Sequence, residues 1–535
     1  MAAPIRSVDP RTGLPVQDVA PGSTPADVDA AVRGAMAAAP ALAALGIEGR
    51  AGLLEAMADE FEADRDALVP LADRETALGP GRLDGELTRT AYQLRFMASV
   101  IRDGAHLEVV IDHAHDTPMG RLADVRRMLA PIGPVAMFGA SNFPFAFSVA
   151  GGDTAAALAS GCPVVVKAHS SHPALSAAVH RALVRACLAQ GVPAEAVGLV
   201  FGRGGGNALV THPGIRAVAF TGSTAGGRAL FDLAVGRPDP IPFYGELGSL
   251  NPLAVTPAAA AERAAVIADG WVGSFTLGSG QFCTKPGLAL VPAGPDGDAF
   301  RDAAVAKAAS IGVTWMLNDS MRTTYEAGTV RLAAVPGAVA HRRPVPDDAA
   351  GFAVTPALVE ATTADLRAEG SPLLEECFGP AAVLVRYGDA DDLLDALGRM
   401  EGSLTAGVHI GEGETELPAR LLAAAAGFAG RVLVNGYPTG VGVTWAMQHG
   451  GPWPASTSAL HTSVGATSVR RFLRPVSYQD VPDALLPPEL RDANPLGLPR
   501  RLDGRLELPG PNRLGPSSRV PITARRRGSW RTSHS

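Results

Sequence analysis

The sequence predicts an α/β fold: parallel sheets with helices on both faces. Two patterns and the chain length carry that reading. Short apolar runs, Val135-Ala136-Met137-Phe138, Val164-Val165-Val166, Val197 to Phe201 and Ala217 to Phe220, follow one another along the chain. Between them, Gly151 to Ser160 and Pro173 to Ala189 read as helices. Apolar strands that do not alternate with polar residues are buried on both faces, as in parallel sheets. At 535 residues the chain exceeds what one core sustains, so two or three domains are expected.

In chain order, residues 1–25 read as extended and turn-rich. From Pro25 to about Leu78 the pattern is helical, through Val28, Ala31 and Val32 and then Leu53, Leu54, Met57, Phe61 and Leu68. Residues 84–103 read as another helix. Val109-Val110-Ile111 and Leu122-Ala123-Asp124-Val125 are expected to pair as a β-hairpin. After the strand series, Phe243 to Leu247 is a further strand, and Ala258 to Leu277 a helix. A second α/β region reaches Gly436, with strands at Leu404 to Ile410 and Val432 to Val434. Residues 437–468, rich in Gly, Pro, Ser and Thr, read as a loop lining a site, and Phe472 to Tyr478 as a final strand. Ligands of such sheets sit beyond the strand C-termini.

Composition narrows the function. Hydrophobic residues make up 47% and charged residues 19%, the balance of a soluble globular protein. Four scattered cysteines make neither a disulfide framework nor a CxxC metal site, which favours a reducing compartment, and no metal is expected. The first residues lack a signal-peptide apolar core, and no run is long and pure enough to cross a bilayer. A cytoplasmic enzyme is expected. The formal charge of −7 is uneven: Arg501 to Ser535 carries a net +6, leaving −13 on the rest. An acidic body argues against nucleic-acid partners. The tail reads as disordered and basic.

One cysteine stands apart. Gly278-Ser279-Gly280-Gln281-Phe282-Cys283-Thr284-Lys285-Pro286 sets Cys283 among small residues, between a helix and a strand. A thiol there can be an accessible nucleophile; by spacing alone it reads more readily as a small buried apolar residue. Phe220-Thr221-Gly222-Ser223-Thr224-Ala225-Gly226-Gly227 lies where a strand enters a helix, a place where glycines admit a pyrophosphate to the helix N-terminus. Its glycine spacing is not GxGxxG, and alone such a turn is as often structural.

Together these motifs resemble the aldehyde dehydrogenase superfamily. The matching elements run in order: Ser141-Asn142-Phe143-Pro144, Lys167, Phe220-Thr221-Gly222-Ser223, Glu246-Leu247-Gly248-Ser249-Leu250-Asn251-Pro252, Gly280-Gln281-Phe282-Cys283 and Glu376-Cys377-Phe378-Gly379-Pro380. The resemblance implies a cofactor-binding domain over 1–108 and 129–246, a catalytic domain over 247–440 and an active-site loop region over 441–468. It implies an oligomerisation arm from 109–128 and 469–500; the tail, 509–535, has no counterpart. It implies oxidation of a small aldehyde to an acid through a cysteine thiohemiacetal and thioester, by a homodimer or homotetramer without nucleic-acid or membrane partners. Cys283 would be the nucleophile, Asn142 an oxyanion donor and Glu246 the base for hydrolytic water. Lys167 and Glu376 would hold the two riboses, Phe378 would pack beside the nicotinamide ribose, and Gly222, Ser223 and Gly227 would meet the pyrophosphate.

NAD-preferring relatives often carry glutamate three residues after the lysine. This chain has Ser170, with His169 beside it and Arg203 on a Gly-rich loop, so NADP is expected, with NAD possible. Pro240 to Glu246, Phe275 to Cys283 and Met447 to Pro452 resemble the branch of alpha-ketoglutaric semialdehyde and NADP-dependent fatty aldehyde dehydrogenases. The lead substrate is therefore 2,5-dioxopentanoate; a broad fatty or aromatic aldehyde is the alternative, and a silent scaffold the reading of another class. Leu460-His461 lacks an arginine expected in that branch, with His461 or Arg470 as substitutes. Cys162, Cys187 and Cys377 read as packing residues, and His449 as a turn histidine rather than a substrate contact.

Overall fold

The computed structural model describes residues 4–508. The chain divides into two compact units, one of residues up to 102 with 131–474, the other of 103–130 with the segment from 475. The basic tail, 509–535, lies outside the described residues. No single helix among the described residues is long and apolar enough to cross a membrane.

The first unit contains an all-parallel five-stranded sheet in the order Phe243–Glu246, Ala217–Thr221, Val135–Phe138, Val164–Lys167, Val197–Val200. The chain starts at the central strand, steps outward through Val164–Lys167 to Val197–Val200, then returns to the other side. The reversal leaves a crevice between the C-terminal ends at Phe138 and Thr221, where such sheets bind ligands. Helix Pro25–Ala44 starts at Thr24, whose side chain accepts from Asp27 N–H. It sets Val28, Val32 and Ala35 into a core with Ala136, Val165 and Val218. The long helical region expected from Pro25 is three helices, Pro25–Ala44, Gly46–Ala63 and Arg65–Thr76, followed by Pro80–Asp103.

A second sheet has seven strands, ordered Val339–Arg342, Ala357–Thr362, Ala381–Tyr387, Leu288–Pro292, Pro252–Val255, Ser403–His409, Ala429–Val434. Only the edge strand Val339–Arg342 runs antiparallel to its neighbour. Helix Pro257–Thr276 packs Ile267, Trp271, Val272 and Phe275 against Leu253, Val255, Ala289 and Val291. Trp271 also donates its indole N–H to the Pro286 carbonyl at 3.0 Å. The helix is thereby tied to the far end of the loop that carries Cys283.

In the second unit the expected hairpin is corrected. Val109–Asp112 pairs with Val125–Pro131, while Leu122 belongs to a separate tip hairpin, His115–Thr117 with Gly120–Leu122. Reading apolar runs misses this, because the inward residue is Arg126, held by Asp124 at 2.9 Å and Asp483 at 3.1 Å. The strand Leu473–Gln479 is not the last. Arg500–Leu502 and Arg505–Glu507 form a further antiparallel pair close to the end of the described residues.

Candidate active site

The helix Pro257–Thr276 ends in a sharp turn. Gly278, Ser279 and Gly280 all take left-handed backbone, with φ of 56°, 61° and 65°. A Cβ at Gly280 would overlap the Gly379 carbonyl and Pro380 backbone, so only glycine fits there. That turn brings the cysteine loop against the loop Glu376–Pro380. The fully buried Gln281 fixes it further, accepting from Leu317 N–H at 3.0 Å. Asn251 donates its amide to the carbonyls of Cys283 (2.8 Å) and Lys285 (3.0 Å).

Three chain-distant side chains converge here. His449 Nε2 lies 3.4 Å from Cys283 Sγ and 2.9 Å from Glu246 Oε1. The donor atoms of Cys283, His449 and Glu246 all lie within 4.8 Å of one another. Glu246 ends the edge strand of the five-stranded sheet, and its other oxygen accepts from Ser463 Oγ at 2.5 Å. His449 is 1% and Glu246 4% exposed, so water screens little of their interaction. The Glu246 Oε1 contact is electrostatic: that oxygen has no aligned hydrogen-bond partner. Burial, followed by the Glu246 charge, pushes the Cys283 thiol well above its usual range. For Glu246 burial is the largest influence and acts upward, but His449 and Ser463 together outweigh it and hold the carboxyl below the usual range. The resting site therefore favours a thiol beside a carboxylate, with an imidazole nitrogen between them.

Asn142 is buried and donates its side-chain amide to the Gln281 carbonyl at 2.9 Å, which places it against the cysteine loop. Its own carbonyl accepts from Arg82 at 2.6 Å, and Arg82 lies over the rings of Phe143 (5.0 Å) and Phe282 (4.6 Å). The expected trio of Cys283, Glu246 and Asn142 is thus brought together. His449 corrects the sequence reading: it is no surface turn residue but the buried link between thiol and carboxylate. The only sequence signal for it was a histidine directly before Gly450-Gly451. Cys162 and Cys187 are fully buried, with burial pushing the Cys187 thiol up to about 12. Cys377 packs against the Tyr325 carbonyl at 3.9 Å.

The other expected residues border the crevice end of the first sheet. Lys167 ends its strand, and burial lowers its ammonium pKa; it makes no hydrogen bond among the described residues. Ser223 caps helix Thr224–Val235 by accepting from Gly226 N–H at 3.2 Å. A Cβ on Gly227 would overlap Leu247, so the helix approaches that segment closely. Gly222 donates its N–H to the Glu246 carbonyl at 3.1 Å, linking this turn to the strand that ends in Glu246. Glu376 accepts from Ser249 N–H at 3.3 Å, and burial pushes its carboxyl up to about 7. Phe378 is half-buried; Ser170 and Arg203 are exposed. An amine, a capped helix N-terminus and an under-partnered carboxyl form a donor set that fits a dinucleotide's phosphates and riboses. His169 is not a cation here, because burial and then His172 hold it well below its usual range. His461 does not replace the missing arginine: its Nδ1 is taken by Ser458 Oγ at 2.7 Å, and burial lowers its pKa.

A sequence profile described as the Aldehyde dehydrogenase family matches residues 2–475. The chain is 46% identical over 517 residues to alpha-ketoglutaric semialdehyde dehydrogenase 2 of Azospirillum brasilense, covering 95% of this chain and 97% of that one. It is 41% identical over 465 residues to alpha-ketoglutaric semialdehyde dehydrogenase of Acinetobacter baylyi, covering 85% and 87%. A putative aldehyde dehydrogenase from Burkholderia cenocepacia, a solved structure, superposes with a TM-score of 0.75 at 26% identity, covering 91% and 96%. The chain belongs to the aldehyde dehydrogenase family. It is an oxidoreductase that uses NAD(P) and oxidises an aldehyde to a carboxylic acid.

Proposed function

We propose that this enzyme oxidises 2,5-dioxopentanoate to 2-oxoglutarate with NADP, through a thioester on Cys283. The observation that carries the chemistry is His449 Nε2, 3.4 Å from the thiol and 2.9 Å from a buried carboxylate. The substrate reading is supported by the two relatives at 46% and 41% identity, both alpha-ketoglutaric semialdehyde dehydrogenases.

The thiol proton leaves Sγ for His449 Nε2, and the Glu246 charge stabilises the imidazolium that forms. Sulfur then bonds to the aldehyde carbon. The developing oxyanion meets the Asn142 side-chain amide and the backbone N–H of Cys283; one such donor is worth about 2.7–4 kcal/mol elsewhere. A bound nicotinamide cofactor would supply the acceptor for the hydride that leaves the carbon attached to Sγ. Glu246 then takes a proton from the water that attacks the thioester, and Ser463 orients its carboxylate. Lys167 and Glu376 would hold the riboses, the N-terminus of Thr224–Val235 and Ser223 the pyrophosphate, and Phe378 would pack beside the nicotinamide ribose.

Ser170 supplies no carboxylate to repel a 2′-phosphate, and Arg203 is exposed without a partner among the described residues, which supports NADP. The reading assigns cofactor binding to 1–108 and 129–246, catalysis to 247–440 and the arm to 109–128 and 469–500, in a homodimer or homotetramer. The test is purified protein with oxo-acid, aliphatic and aromatic aldehydes, each with NADP and NAD. The proposal expects acid product and NADPH, fastest with 2,5-dioxopentanoate. Faster turnover of an aliphatic aldehyde, or NAD preferred about a hundredfold, removes the corresponding part.

A further inference from the structure

Helix Pro80–Asp103 carries Arg82, Glu86, Arg89 and Gln93 at helical spacing, so they share one face. Arg82 donates Nη2 to the Asn142 carbonyl and lies over the rings of Phe143 and Phe282, which cover its unpartnered Nη1. Glu86 Oε1 accepts from the backbone N–H groups of Phe145 (2.8 Å) and Ala146 (3.0 Å). Arg89 is only partly committed. Its Nε donates to the Val441 carbonyl at 3.2 Å and its Nη1 to Gln93 Oε1 at 3.1 Å, while Nη2 is buried without a hydrogen-bond partner.

A second guanidinium reaches the same loop from the seven-stranded sheet. Arg431 donates Nη2 to the Pro438 carbonyl at 2.7 Å and Nη1 to the Gly440 carbonyl at 3.3 Å; its Nε is buried and unpartnered. Two cations thus bracket residues 438–441, each bonded to neutral oxygens, each with one buried nitrogen left without a partner. Both sit near the reaction centre. Arg89 lies over Phe147 (5.4 Å), whose ring is 6.0 Å from that of His449. Arg89 and Arg431 both lie within electrostatic range of Cys283, so each would favour its thiolate.

The two nearby carboxylates, Glu86 and Glu246, interact with Arg89 but are shared with other partners. Glu86 lies between Arg82 and Arg89 and interacts with both. Glu246 is engaged by His449 and Ser463. Both guanidiniums are part-buried, but each keeps one sealed nitrogen without a partner, a cost that an anion reaching it would relieve. We propose that Arg89 and Arg431 form an anion subsite beside Cys283 that binds the carboxylate of an oxo-acid aldehyde. This deepens the function proposed above and rests on its assignment of Cys283 as nucleophile and of an acidic aldehyde as substrate. It also supplies the positive charge that Leu460-His461 does not.

The experiment compares kcat/KM for 2,5-dioxopentanoate and for pentanal in the wild type, Arg89→Gln, Arg431→Gln and Arg89→Lys. Glutarate is added as an inhibitor of pentanal oxidation. The dioxopentanoate-to-pentanal ratio is expected to fall about thirtyfold in each glutamine variant, the range of a lost charge-assisted contact, and to recover in part in Arg89→Lys. Glutarate inhibition is expected to weaken in parallel. Ratios within about threefold of wild type, with unchanged glutarate inhibition, overturn the subsite. For a variant inactive on both aldehydes, calorimetry with glutarate decides: wild-type binding lost in the folded variant supports the subsite, and retained binding overturns it. A wild type that favours pentanal refutes the substrate reading itself, whereas a wild type that favours dioxopentanoate with unaltered variants refutes only the subsite.

Discussion

Glu376→Gln separates a cofactor contact from a stability effect in one residue. Burial raises the Glu376 carboxyl from 4.5 to about 7, with Lys285 and the Ser249 N–H opposing. An acid raised in the folded state binds more protons there than in the unfolded chain between those values. Stability is therefore full below pH 4.5 and declines as pH rises to about 7. A difference of about 2.5 units sets an upper bound of about 3 kcal/mol on that decline. Glutamine carries no charge, so the variant should gain up to about 3 kcal/mol over wild type at pH 8 and lose that gain below pH 5. Urea unfolding of the full chain at both values measures it. Cofactor binding should move oppositely. The ionised carboxylate is the better acceptor for ribose hydroxyls, and about a tenth of Glu376 is ionised one unit below its pKa. The cofactor kcat/KM of the wild type should therefore drop several-fold more than that of Glu376→Gln between pH 8 and pH 6. Equal stability differences at pH 5 and pH 8, together with parallel cofactor profiles, would refute both the raised pKa and the ribose contact.

Further outcomes follow from the same geometry. His449→Asn should lower kcat by about 10²–10⁴, the span of a general base, and slow iodoacetamide alkylation of Cys283 at pH 7.5; alkylation at the wild-type rate would show that the thiol loses its proton elsewhere. Glu246→Gln should still form the thioester but release acid slowly, giving an NADPH burst in rapid mixing followed by a slow steady state. Gly280→Ala should abolish activity and lower the melting temperature, because its Cβ collides with the Gly379 carbonyl in left-handed backbone. Arg203→Ala should raise the NADP KM about tenfold and leave the NAD KM nearly unchanged, measured at saturating aldehyde.

Much of this protein is legible along the chain. Val135–Phe138, Val164–Lys167 and Ala217–Thr221 are buried on both faces, so their apolar runs mark a parallel sheet without any tertiary knowledge. Cys283, Glu246 and Asn142 sit in short motifs whose glycines and neighbours are dictated by local backbone. What the sequence could not rank were polar residues whose value depends on what stands opposite. His449 looks like any loop histidine until folding buries it between Cys283 and Glu246. Arg126 looks like a surface charge until Asp124 and Asp483 enclose it, which is why the strand pairing there was misassigned. Arg89 and Arg431, 342 residues apart by number, acquire meaning only because a helix and a sheet edge deliver both to one four-residue loop. Apolar periodicity is a local property and survives in one dimension. The partner of a buried charge is chosen by the fold, and only the folded chain says which one it is.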